Sequence, residues 1–213
     1  IFVRLVQALP TLPLVAKVLV GVCMGVATCS LFLSMALRGS AMPAALSRGL
    51  FQVGSVWLVF LLYMVLALLL VDVAAWLRLT VPYGFWAALA LCSVVLISGH
   101  YRYKHPQVNV VPIAFDKACD FAKPLTVVAV SDMHLGEGTG RKDLARYVDL
   151  INAQSPDVIV IAGDLIDNSV HPLYRDHMAD ELARLAASQG IFMVPGNHEY
   201  ISGIEECKTF LKD

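Results

Sequence analysis

The sequence predicts N-terminal transmembrane α-helices followed by an α/β domain. Three observations predict it. Long uncharged apolar runs fill the first half of the 213 residues, the charge balance reverses near residue 105, and a strand–helix–strand–helix–strand pattern follows. Residues 1–105 carry seven Lys/Arg and one acid, Asp72, for a net +6. Residues 106–213 carry nine Lys/Arg and sixteen acids, for a net −7. A basic apolar half joined to an acidic half of ordinary composition reads as a membrane anchor, residues 1–105, plus a domain, residues 106–213.

The three candidate spans are Val18–Leu37, Leu50–Val71 and the shorter Val81–Ser98, none with a charged residue except at its borders. A span needs about 20 apolar residues, and a cleaved signal peptide would not need three. Arg38, Arg48 and Arg78 fall between the runs, and Arg102, Lys104 and His105 follow the last. Trp57, Trp76, Tyr83 and Trp86 read as interfacial aromatics near span ends. Placing the domain inside sets Arg38, Arg48, Arg102, Lys104 and Lys117 against Arg4, Lys17 and Arg78, which the positive-inside rule reads as cytoplasmic. Asp72 reads as interfacial, and without other charge inside the spans the chain does not read as a transporter or channel.

Beyond residue 105, Val108–Phe115 alternates like an edge strand. Leu125–Val130, Asp157–Ala162 and Gly190–Val194 are short β-branched runs of the kind that fill buried strands. Arg141–Gln154 is an amphipathic helix with Leu144, Tyr147, Val148 and Ile151 at helical spacing. Met178–Ala187 predicts a second helix with Leu182 and Leu185 facing in, and a third begins at Ile204. Alternation of this kind implies crossovers and a mostly parallel sheet, whose sites form at the carboxyl ends of strands.

Three motifs fall at those ends: Asp132-Met133-His134, Gly163-Asp164-Leu165-Ile166-Asp167 and Gly196-Asn197-His198-Glu199. Asp132 and His134, two apart past a strand end, can turn to one metal. A carboxylate such as Asp164 can bridge two ions about 3.5–4 Å apart. Asn197 adds a neutral oxygen ligand, and His198 can donate a proton or polarise a substrate oxygen. Gly163 and Gly196 permit sharp turns. Each Asp alone would read as a turn or cap residue; the set of five reads as a hydrolytic metal site. Asp167 and Glu199 read as residues that orient ligands through hydrogen bonds.

Ser131-Asp132-Met133-His134-Leu135-Gly136, Gly163–Asp167 and Gly196–Glu199, correctly ordered and about 32 residues apart, resemble the first three motifs of the calcineurin-like metallophosphoesterases. The resemblance covers roughly Leu125–Tyr200, and the anchored arrangement looks like membrane-associated bacterial members, which implies the inner (plasma) membrane of a bacterium. It implies an αββα sandwich and two divalent ions drawn from Mn, Fe, Zn or Ni. It implies Asp132 and His134 on one ion, Asp164 bridging, Asn197 on the second, and His198 as acid/base or phosphate-polarising residue rather than ligand. It implies hydrolysis of a phosphodiester, phosphomonoester or pyrophosphate bond by a dinuclear-metal hydroxide mechanism. The membrane anchor adds lipid-linked phosphates to the substrate classes.

The family pattern continues with another His motif and then Gly-His-x-His, and neither occurs before Asp213. The expectation is that the C-terminal half of the domain lies outside this chain, that the chain alone is inactive, and that the complete protein is active. The contrasting reading is a non-enzymatic membrane scaffold or binding protein with a degenerate phosphoesterase fold.

Other readings are weaker. Gly136–Lys142 is glycine-rich, but Asp143 stands where a Walker loop needs Ser or Thr, and the glycine spacing is wrong. His171 and His177 read as solvated loop residues. Five cysteines without a CxxC pair give no zinc site, and Cys119 and Cys207 read as free thiols. The acidic second half lacks a basic stripe, which argues against nucleic acid as a partner.

Overall fold

The computed structural model describes residues 1–37, 42–114, 116 and 124–212. It divides into two compact units, Ile1–Asn109 and Val110–Asp213.

The first unit is helical: α1 (Phe2–Ala8), α2 (Leu14–Ala36), α3 (Ala44–Trp76) and α4 (Gly84–Lys104). The last three are long and apolar enough to cross a membrane. At 1.5 Å per residue, the 33 residues of α3 extend about 50 Å, well past a hydrocarbon core of roughly 30 Å. Leu19, Val26, Leu62, Leu70 and Ile97 expose their side chains, which suits lipid as the solvent. Small residues let the helices approach. Gly54 of α3 lies against the backbone of Leu31 in α2, leaving no room for a Cβ. Beside it, Trp57 Nε1 donates to Thr28 Oγ1 at 2.9 Å. Trp57 thus lies 13 residues into α3 and ties it to α2. Met64, Leu68, Ala88 and Cys92 form the α3–α4 core. The sequence did not foretell α1, whose Arg4 pairs with Asp72. Arg38 and Lys117, used in the topology count, lie outside the described residues, as does Cys119.

The second unit holds β1 (Val127–Val130), α5 (Arg141–Asn152), β2 (Val158–Ala162), α6 (His171–Arg175), α7 (Ala179–Leu182), β3 (Ile191–Val194), α8 (Asn197–Ser202) and α9 (Ile204–Phe210). The strands form one parallel sheet in the order β1-β2-β3. Val127 pairs with Val158, and Ile159 with Ile191. Period-2 alternation sends Ile159 and Ile161 to one face, where Leu144, Val148 and Ile151 of α5 join Leu165, Leu173, Met178, Cys207 and Phe210 in the core. The opposite face carries exposed Val127, Phe192 and Val194. Among the described residues there is one sheet of the two that a sandwich contains, and its open face is apolar, as an inter-sheet face is.

Two elements depart from expectation. Residues 108–114 form no strand; Val110, Val111 and Ile113 are exposed, and alternation without a ladder partner does not hold a strand. The helix expected over Met178–Ala187 shrinks to the four residues of α7. Asn152 explains the stop: its Nδ2 donates to the Arg184 carbonyl at 2.8 Å and its Oδ1 accepts from Ala186 N–H at 3.1 Å, taking backbone groups that a longer helix would use. Leu182 and Leu185 still pack on the core.

Candidate metal centre

All three motifs leave the sheet at its carboxyl edge, and the loops they open are stitched to one another beyond the ladder. Asp132 N–H donates to the Gly163 carbonyl at 3.2 Å, His134 N–H to the Asp164 carbonyl at 3.0 Å and Leu135 N–H to the Leu165 carbonyl at 2.8 Å. Asp167 N–H returns the bond to the Leu135 carbonyl at 3.0 Å. Asp132, His134 and Asp164 hold positive φ angles of 55°, 46° and 51°. L-residues seldom adopt these angles, and where they cluster the surrounding structure imposes them. Gly163 has φ 83°, and a Cβ there would lie 2.9 Å from the Gly196 backbone, so the two glycines let the second and third loops touch.

The arrangement brings His134, Asp164 and His198 together. One ligand atom from each lies within 4.8 Å of the other two, and all three residues are half-buried. The His134 and His198 rings meet edge to face at 4.4 Å. Asp132 stands at the rim, 64 % exposed at its side chain, with Oδ1 3.8 Å from His134 Nε2. Asn197 opens α8 and is exposed. His198, expected as a proton-transfer residue, therefore also lies within ligand reach.

Asp167 sits behind both imidazoles. Its Oδ1 is 3.4 Å from His134 Nδ1 and 3.3 Å from His198 Nδ1. Its carbonyl oxygen is 2.7 Å from His198 Nδ1. A carbonyl only accepts, so His198 Nδ1 carries the hydrogen of that bond and Nε2 is the nitrogen left for other partners. Asp164 uses Oδ1 to accept the His198 backbone N–H at 2.9 Å, which leaves its second oxygen as a ligand atom. Imidazole nitrogens and carboxylate oxygens in this compact group fit a divalent transition ion. The loop after His134 is fixed from outside by Arg175, whose guanidinium forks onto both oxygens of Glu137 at 2.9 and 3.1 Å. It also binds Asp176, and these hydrogen bonds push Arg175 further up from its already high value. That fork has no signature in the sequence, since Glu137 and Arg175 are 38 residues apart. His171 and His177 lie away from this group and are exposed, as expected.

A carboxylate–histidine cluster at the carboxyl edge of a parallel sheet has the place and the donor types of a divalent-metal site. Residues 125–213 match the family model described as calcineurin-like phosphoesterase. The chain is 36 % identical over 129 residues to an uncharacterized metallophosphoesterase of Helicobacter pylori, covering 60 % of this chain and 33 % of that protein. It is 33 % identical over 133 residues to a Caenorhabditis elegans protein provisionally named a metallophosphoesterase, covering 62 % of this chain and 27 % of the relative. It is 35 % identical over 114 residues to a Danio rerio transmembrane protein with a metallophosphoesterase domain, covering 53 % and 26 %. The chain thus spans a third or less of the length of these relatives. No solved structure gives a significant match. Residues 125–213 carry a calcineurin-like metallophosphoesterase domain, and three apolar helices precede it in a membrane protein.

Proposed function

We propose that the protein is a membrane-anchored phosphoesterase that uses two divalent ions to hydrolyse a phosphodiester, phosphomonoester or pyrophosphate bond. Residues 1–105 serve as the anchor and residues 106–213 contribute to the hydrolase domain. The Lys/Arg count favours the cytoplasmic side of a plasma membrane for that domain, and a lipid-linked phosphate suits a site tethered there. The observation that carries the reading is the His134–Asp164–His198 group at the strand ends of a domain matched by the family model.

Asp132 and His134 would hold one ion, Asp164 would contribute to both, and Asn197 would serve the second. Ions of the Mn, Fe, Zn or Ni kind, held by these residues, would supply positive charge near the phosphoryl oxygens and make a bound water acidic enough to react at neutral pH. His134 stays oriented through Asp167 on its Nδ1 side, which leaves Nε2 towards Asp132. His198, with Nδ1–H committed to the Asp167 carbonyl, presents Nε2 to substrate; with Nε2 also protonated the ring would give that proton to the leaving oxygen and be left neutral.

The test uses the complete protein in detergent or nanodiscs with Mn²⁺ and a panel of the three phosphoester classes. Asp164→Asn is expected to lower activity by more than about 100-fold, because groups that merely surround a metal site already cost about 10–100-fold when removed. Wild-type protein that neither takes up Mn²⁺ nor cleaves any member of the panel would overturn the reading.

A further inference from the structure

Glu199 is the one carboxylate of the three motifs that neither reaches the ligand group nor faces solvent. It is 1 % exposed. Its partners are backbone N–H groups from two different loops. Oε2 accepts from Asp164 N–H at 3.0 Å and from Gly196 N–H at 2.7 Å. Oε1 accepts from Ile166 N–H at 2.9 Å. A buried charge held this way is stabilised by charge-assisted bonds rather than by a counter-ion.

The pattern closes a circuit. Asp164 gives its carboxylate to the backbone of His198, and the next residue, Glu199, gives its carboxylate to the backbone of Asp164. The end of β2 and the start of α8 are therefore tied in both directions. One oxygen of Glu199 is shared between Asp164 and Gly196, which sets the separation of the second and third loops. Only a carboxylate satisfies all three donors. An amide would set its NH₂ group against a backbone N–H, and Asp is one methylene too short to span both loops.

Resting on the phosphoesterase reading above, we propose that Glu199 is a positioning residue that preassembles Asp164 and His198 before any ion arrives. It touches neither ion nor substrate. Its effect passes through the Asp164 carboxylate, whose place it fixes through the backbone. Preorganised ligands lose less freedom when the ion binds, so the effect belongs in metal affinity.

Two measurements on the complete protein in nanodiscs test this. The first is hydrogen exchange of metal-free wild-type protein, resolved to the peptides holding Asp164, Ile166 and Gly196. Those amides are expected to be protected; exchange at the rate of an exposed loop would overturn the proposal without recourse to a variant. The second is Mn²⁺ binding by Glu199→Gln, read from the spin-resonance signal of free Mn²⁺. About 10–100-fold weaker binding is expected, while the β2 amides keep wild-type protection and report an intact sheet. Wild-type affinity in that variant would overturn the proposal, and so would loss of β2 protection, which marks Glu199 as a support of the whole sheet. If wild-type protein itself takes up no Mn²⁺, the phosphoesterase reading fails first and this inference with it.

Discussion

Cys207 shows how the ligand loops lean on the core. Its side chain is 1 % exposed, and its Sγ is 3.7 Å from the Glu199 carbonyl oxygen. Burial, helped by the charges of Glu199 and Glu206, pushes the thiol up from its ordinary value of 9.0. The folded value lies above the unfolded one, so the stability linked to this group is complete below pH 9.0 and declines as pH rises through the folded value. Peptide-resolved alkylation near pH 7.5 is expected to leave Cys207 unmodified in folded protein and to label it on unfolding. Cys207→Ala is expected to flatten the alkaline loss of thermal stability. At this scale the sequence revealed residue types well. The meeting of His134, Asp164 and His198 was legible because few other uses gather those side chains at strand ends, whereas Asp132 and Asn197 stand exposed beside them. The parts played by Asp167 and Glu199 were legible only in outline, because apart from Gly196 the partners that matter lie 31 to 35 residues away. Those partners are largely main-chain groups, which no side-chain pattern encodes.

Elements were readable where burial imposes a period. The buried face of α5, with Leu144, Val148 and Ile151, repeats at helical spacing and announces the helix. The three strands announce themselves as β-branched runs. Short helices do not: α6 and α8, of five and six residues, are too brief for a period to emerge. Alternation over residues 108–115 misled because a strand is a property of a pair. The Arg175 fork joins α6 to the loop after β1, and Arg175→Ala tests its weight. Both Glu137 and Asp176 would lose a charged donor at side chains that are mostly covered. Hydrogen bonds to charged groups contribute about 1.5–3 kcal/mol, so a loss of this order in thermal unfolding, with faster proteolysis between Leu135 and Gly140, is the expected outcome.

For the molecule as a whole, the division into an apolar helical unit and an acidic α/β unit was the most legible feature. The structure divides the chain at Asn109–Val110, close to the charge reversal near residue 105. The cause is solvent: a helix facing lipid is apolar on all sides, whereas α5 is apolar on one. The ion pair of Arg4 with Asp72 was not legible, since it joins residues 68 apart through the short α1. The protein is expected to stay with membranes through alkaline carbonate and high-salt washes and to leave them only in detergent. Release by salt alone would mean surface attachment by charge, and the reading of Leu14–Ala36, Ala44–Trp76 and Gly84–Lys104 as spans would fall.

The left-handed backbone at Asp132, His134 and Asp164 sets folding against chemistry. Glycine is the residue those angles favour. Each side chain kept there costs on the order of 1–3 kcal/mol. If the proposed metal site is right, a directed-evolution campaign that rewards heat resistance alone would drift towards glycine at these positions and deliver a sturdier protein without its ligands. Stabilisation of this domain has to be sought elsewhere, with all three positions held fixed.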